Sequence, residues 1–247
     1  VIMKRIILFL TLLFASFGST FASEQTEKFD AGKLIMEHLG DSYYWHIFTY
    51  NNLDVSIPLP IILINEGKID IFMSSKFHHG HSTYKGYKIA TEADGEGLEG
   101  SIICVDSNGV YTGKKPLDFS ITKNVFAIFI VTGLIVFLVL KGAKIAKKRE
   151  GQAPKGLLTV VEYFISFIKD DIALPSIGEH KYKKYLPYLL TAFLFIFFSN
   201  LLGLFPFFPG GANITGNIAV TLCLAVFTFV ITNVSGNKDY WKHIINM

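Results

Sequence analysis

"NLLGLFPFFPGGANITGNIAVTL", residues 200–222, closes one apolar run and opens the next without a single ionisable group. Pro206 and Pro209, then Gly210 and Gly211, break any continuous helix through it. Asn213, Thr215 and Asn217 then supply polarity without charge. The flanking runs, about Tyr185 to Phe205 and Asn217 to Val234, are each long enough to cross a bilayer, so the stretch predicts the turn of a two-helix membrane hairpin. Backbone freed by Pro and Gly at that depth must be buried in protein or line a wet cavity. Uncharged Asn and Thr suit such a cavity or a hydrogen-bonded helix contact. They equally suit a plain turn with helix-capping side chains, and composition alone leaves both readings open.

Working outward, a further span, the first in chain order, is predicted over about Ile121 to Leu140. It is followed by Lys141, Lys144, Lys147, Lys148 and Arg149. Lys181, Lys183 and Lys184 precede the second span, and Lys238 and Lys242 follow the third. Basic residues mark the cytoplasmic ends of spans, so all these loops are expected inside and residues 200–217 outside. Between the first two spans, "GLLTVVEYFISFIKDDIALP" places Leu157, Val161, Phe164, Ile165 and Ile168 at helical spacing. It is too short and too charged to cross. An interfacial helix over about 157–172 is expected, with Glu162 on its polar face and Pro175 ending it.

The N-terminal side points to export. Lys4 and Arg5 precede the short apolar core Ile6 to Phe14, and Thr20 and Ala22 sit before Ser23 at small-residue cleavage positions. That is the pattern of a secretory signal peptide, residues 1–22, with Met3 a candidate start. Residues 23–120 then form an exported segment with turn signals at Asn51-Asn52, Glu66-Gly67, Gly86 and Asn108-Gly109. Short β-type runs lie between them: Trp45 to Tyr50, Asp54 to Ile57, Ile61 to Ile64, Ile69 to Met73, Lys88 to Ala90 and Ser101 to Val105. An early helix from Ala31 to Leu39 also fits the spacing. His78, His79 and His81 lack acid or Cys ligands at zinc-site spacing and read as a polar loop, so no metal and no cofactor are expected. Cys104 and Cys223 fall in different phases and make no disulfide framework.

Composition agrees. A hydrophobic fraction of 51% and a mean hydropathy of +0.41 exceed those of an ordinary soluble domain. The net charge of +3, with no basic face apart from the ends of apolar runs, argues against a nucleic-acid partner. The fold class expected is an α-helical polytopic membrane protein, three spans plus an interfacial helix in residues 121–247, with a small β-rich exported N-terminal domain.

"SNLLGLFP", a Pro-rich link and "NIAVTLCLA" resemble the a subunit of rotary F-type ATP synthases, through Asn200, Leu201, Gly203 and Pro206, then Asn217, Thr221 and Leu222. "GLLTVVEYFISFIKDDI" resembles the segment before that family's hairpin, and the match covers about Ile121 to Val234. "WHIFTY", "VSIPLPIIL" and "FMSSKFHHGH" are similar to an N-terminal extension in one bacterial branch. The resemblance implies a non-catalytic stator subunit in the bacterial inner membrane, partnered by a c-ring and b subunits. Protons enter a half-channel from outside, protonate a ring carboxylate and leave through a second half-channel after rotation. Asn200, Asn213, Asn217 and Thr221 are the candidates for outer half-channel lining or helix packing. An amide orders water but does not relay a proton by titrating. The family often has Asn two residues after an acid or amide; here Asn217 is followed at that spacing by Ala219. The resemblance also implies an intramembrane arginine on a later helix. The two arginines here are Arg5 and Arg149, neither within a span, so the sequence is expected to be the front half of an a subunit. The rival readings are an exported binding or sensor domain on a three-span anchor and a secondary transporter. Short basic inner loops disfavour the first. A single broken region, without paired discontinuous helices, disfavours the second.

Overall fold

The computed structural model describes residues 40–50, 53–205 and 208–245. The expected signal peptide and the helix Ala31–Leu39 lie outside them.

Residues 40–120 fold into three small antiparallel sheets. β1 (Tyr44–Tyr50) pairs with β2 (Leu53–Pro58). β3 (Pro60–Asn65) and β4 (Lys68–Met73) form a hairpin around Glu66 and Gly67, whose φ values of 49° and 79° match the strand twist that a two-residue turn needs. β5 (Tyr87–Ile89) pairs with β6 (Ile102–Cys104), and β7 (Leu117–Asp118) adds to the free edge of β3. Six of these strands coincide with the β-type runs read from sequence. The two-residue β7 carries no such signal; it exists because Phe119 N–H donates to Ile62 and Ile121 N–H to Pro60 as the chain leaves for the helices. Alternation along β3 turns Ile61 and Leu63 inward, fully buried against Tyr43, Phe77, Tyr87 and Ile102.

His78 and His79 take left-handed backbone, φ 44° and 59°, in the short 3₁₀ segment Ser74–Gly80. The His79 ring stacks on Tyr44 at 4.4 Å, and the His79 backbone N–H donates to the Tyr44 hydroxyl. Among the described residues, no three His, Cys, Asp or Glu side chains are grouped to hold a metal. Both cysteines are free thiols, Cys104 buried and Cys223 exposed.

Tyr43 ties the ends of this domain together, because its hydroxyl donates to the Asp118 carboxylate 75 residues away. Burial first, then that hydrogen bond to a carboxylate, pushes the phenol pKa far up. A folded-state pKa raised above the unfolded value contributes stability that is complete below about pH 10 and is lost as pH rises beyond it. Tyr43→Phe is therefore expected to cost about 1 kcal/mol at neutral pH and to flatten the alkaline loss. Urea titrations of the detergent-solubilised protein at pH 8 and pH 11 measure both. An undiminished alkaline slope in the variant would contradict the assignment.

Among the described residues, three helices are long and apolar enough to cross a membrane: α1 (Lys123–Lys148), α3 (Tyr182–Gly203) and α4 (Ile218–Ser235). α1 outruns its expected end at Leu140 by two turns, because the lysines and alanines among residues 141–148 are good helix formers and the lysine charges suit a helix C-terminus; Gly142 is held in the helix where Val161 packs against it. α2 (Leu157–Ser166) continues as a π-helical segment, Phe167–Ala173, and a final turn, Leu174–Ile177. Pro175 does not end this path, contrary to expectation. It sits in the first turn of the last segment, where its missing N–H costs nothing, and Gly178, with φ 86°, ends the path instead. α2 packs on α1 and α3: Val161 lies against Gly142, and Phe164 lies between Phe193 and Phe197. The short α5 (Lys238–Ile245) closes the described chain.

Candidate functional site

The site of interest is the α3–α4 link with the surfaces it touches. Leu202 and Phe205 turn their carbonyls onto the buried Gly210, and Gly211 N–H donates to Leu202. From there the chain alternates. Ala212 and Ile214, 4% and 1% exposed, plug into a core shared with Trp45 of β1, Ala127 and Val131 of α1, and Leu194 and Phe198 of α3. The interleaved Asn213, Thr215 and Asn217 remain half-buried on the other side. The link is thus anchored in protein by its apolar residues, which fixes where its polar residues stand.

Their hydrogen bonds are local. Thr215 donates to Asn200 Oδ1 at 2.6 Å and so joins the link to the last turn of α3. Asn213 Oδ1 accepts from Gly216 N–H at 3.0 Å. Asn217 caps α4, its Oδ1 accepting from Ala219 N–H at 2.9 Å. The Thr221 hydroxyl turns back onto the Asn217 and Ile218 carbonyls. Asn200, Asn213, Thr215 and Asn217 are thus drawn to one end of the hairpin. The turn-and-cap reading accounts for every amide oxygen. The amide N–H₂ groups of the three asparagines meet no acceptor among the described residues.

Capping makes one prediction here. Asn217→Ala removes the acceptor for Ala219 N–H and is expected to cost about 1 kcal/mol, whereas Asn217→Asp retains it. Thermal unfolding of the two variants in detergent, compared with the parent, checks this.

The N-terminal end of α1 holds groups that the sequence did not single out. Asp41 accepts from the Ser42 and Asn124 backbone N–H groups, each at 3.0 Å, and from the Thr122 hydroxyl at 2.8 Å. A carboxylate at a helix N-terminus is favoured by the helix dipole, and Asp41 attracts the buried Lys123 as well. Asn124 on α1 and Ser199 on α3 are 3% and 2% exposed. Among the described residues, neither Asn124 Oδ1 nor Ser199 Oγ has a hydrogen-bond partner. Asp41 lies 81 residues before Thr122, so no sequence spacing announces it. Ser199 stands beside Asn200 in an apolar run, which is the one signal available.

Residues 125–247 match the family model described as ATP synthase A chain, and residues 34–119 match a domain of unknown function, DUF8433. The chain is similar to ATP synthase subunit a 2 of Chlorobaculum tepidum, 50% identical over 133 residues, which are 51% of this chain and 37% of that protein. It is 46% identical over 134 residues to ATP synthase subunit a of Pelodictyon phaeoclathratiforme, covering 52% of this chain and 38% of that relative. With ATP synthase subunit a of Chlorobium phaeobacteroides strain BS1 the identity is 42% over 171 residues, 61% of this chain and 49% of the relative. The chain thus spans at most about half the length of these curated relatives. No solved structure matches. Three apolar helices, a polar hairpin link and this similarity lead to one conclusion: through residues 125–247 the chain belongs to the ATP synthase A chain family.

Proposed function

We propose that this chain is part of the membrane stator subunit a of a rotary ATP synthase, guiding protons beside a c-ring and held by b subunits. The observation that carries the reading is the 50% identity over 133 residues to a subunit a, together with the family match over residues 125–247, which include the hairpin. In this reading residues 40–120 lie outside the cytoplasm and the basic ends of α1 and α3, with α5 and its Lys238 and Lys242, lie inside, in accord with the distribution of Lys and Arg.

The hairpin link then faces the outer half of the bilayer. Asn200, Asn213 and Asn217 spend their amide oxygens holding the link in shape and present N–H₂ groups outward. These groups order water without titrating, which suits the wall of an aqueous path better than a relay. Thr221, one turn into α4, extends the polar strip with its hydroxyl oxygen. Buried Asn124 Oδ1 and Ser199 Oγ offer further acceptors on neighbouring helices, and a buried polar atom without a protein partner is a place for water. Proton chemistry itself belongs to groups on the ring and on other parts of the subunit.

Asn217→Leu, introduced into the subunit gene at its own locus, is the test. Proton-driven ATP synthesis by membrane vesicles is expected to fall severalfold, while the complex still assembles. Asn217→Asp, which keeps the helix cap, separates cap loss from loss of the wetted surface. Unchanged synthesis in Asn217→Leu would leave Asn217 a helix cap and nothing more.

A further inference from the structure

Between α1, α3 and α4 runs a groove of about 490 Å³, walled by Ile135, Val139, Phe195, Leu224 and Phe227. Tyr188 stands at one end of it and also lines a second hollow of about 380 Å³, where α3 begins and α4 stops. The character changes at that point. The second hollow presents Lys181, Tyr185, Thr232 and Ser235, and no carboxylate is among its described lining residues. The Tyr188 hydroxyl is hydrogen-bonded to Thr228 at 2.7 Å, pinning α3 to α4 at the junction. Lys184 lies over the Tyr185 ring, 5.5 Å from its centroid, which keeps a second cation near the rim.

We propose that the two hollows together bind one anionic phospholipid, its phosphate at Lys181 and the neighbouring hydroxyls and one acyl chain along the groove. Three observations select this occupant. The polar end lies where α3 begins, at Lys181, and where α4 stops, three residues before Lys238, which is the depth of a headgroup for helices that span a bilayer. From Lys181 to Phe195 is about 20 Å along a helix, enough to run from the headgroup region to the middle of a hydrocarbon core about 30 Å thick. The charge on Lys181 favours an anionic over a zwitterionic headgroup. This inference requires only that the three helices sit in a bilayer and is independent of the reading as subunit a.

The test is native mass spectrometry of the full chain in detergent, with equal amounts of dioleoylphosphatidylglycerol and dioleoylphosphatidylcholine. Phosphatidylglycerol is expected to be retained about fivefold over phosphatidylcholine, the effect of one lysine near a headgroup. Lys181→Gln should abolish that preference, and Lys147→Gln, a basic residue outside the hollow, should leave it intact. Ala192→Phe and Val136→Phe, each filling the groove, should lower retention of both lipids; using both guards against one failing to fold. Glycerol phosphate in large excess should not displace the lipid. Equal retention of the two lipids, a preference unmoved by Lys181→Gln, retention unchanged in both groove-filled variants, or displacement by glycerol phosphate would each overturn the proposal.

Discussion

Trp45→Ala is expected to cost the protein about 3–5 kcal/mol, the largest loss from any single truncation outside the helices. Trp45 belongs to β1 yet is 2% exposed, because its indole is set against the N-terminal part of α1, α3 and the α3–α4 link rather than into the strand domain. It meets Phe126 of α1 edge-on at 5.6 Å and Phe208 of the link at 5.3 Å. Truncation leaves a cavity where the strand domain, α1 and the hairpin link meet. That cavity cannot close without moving Ala212 and Ile214 of the link, which share the same core. The consequence reaches beyond stability: the polar residues of the link are placed by those two plugs, so loosening them should blur the position of Asn213 and Asn217. Urea titration followed by circular dichroism gives the loss. Limited proteolysis should show earlier cutting after residue 208. A loss below about 1 kcal/mol would mean that the strand domain is only tethered to the helices.

The second large effect concerns Gly210. A Cβ there would stand 2.4 Å from the Phe205 carbonyl oxygen and 2.7 Å from that of Leu202. Both are backbone atoms and cannot swing aside, so Gly210→Ala must push the link off the end of α3. The expected cost is about 3 kcal/mol or more, in the range of overpacking a rigid site. Gly203→Ala is the control seven residues earlier: its added Cβ would sit 3.4 Å from Ala212 O, an ordinary contact. Inside the last helical turn, alanine should be neutral or stabilising by up to about 1 kcal/mol. Paired thermal unfolding curves decide the matter; similar curves for the two variants would show that the link accommodates a side chain at position 210.

Much of this architecture was legible in residue order. The three spans follow from apolar runs about 20 residues long, and the strands from period-two patterning between turn residues, as Ile61 and Leu63 illustrate. What was not legible depends on long-range encounters. Trp45 reads as one more aromatic in a strand, and nothing nearby says that it is buried against helices beginning almost 80 residues later. Asp41 has the same history. At Pro175 the sequence misled because proline breaks a helix interior but is welcome in a first turn, and the preceding π-helical segment that creates that first turn has no residue signature. The polar link was recognised by composition, but the division of labour within it was not. The plugs Ala212 and Ile214 and the polar Asn213, Thr215 and Asn217 are told apart only when residues 212–217, with their turn at 214–216, are set against the core.

The most direct test of the account is to tag the gene at its own locus, solubilise the membranes in a mild detergent and purify what the tag holds. Assignment to subunit a predicts that c-ring and b-subunit polypeptides come with it, and that the purified complex hydrolyses ATP once the soluble head is attached. Recovery of the chain alone, or with partners unrelated to an ATP synthase, would contradict that assignment.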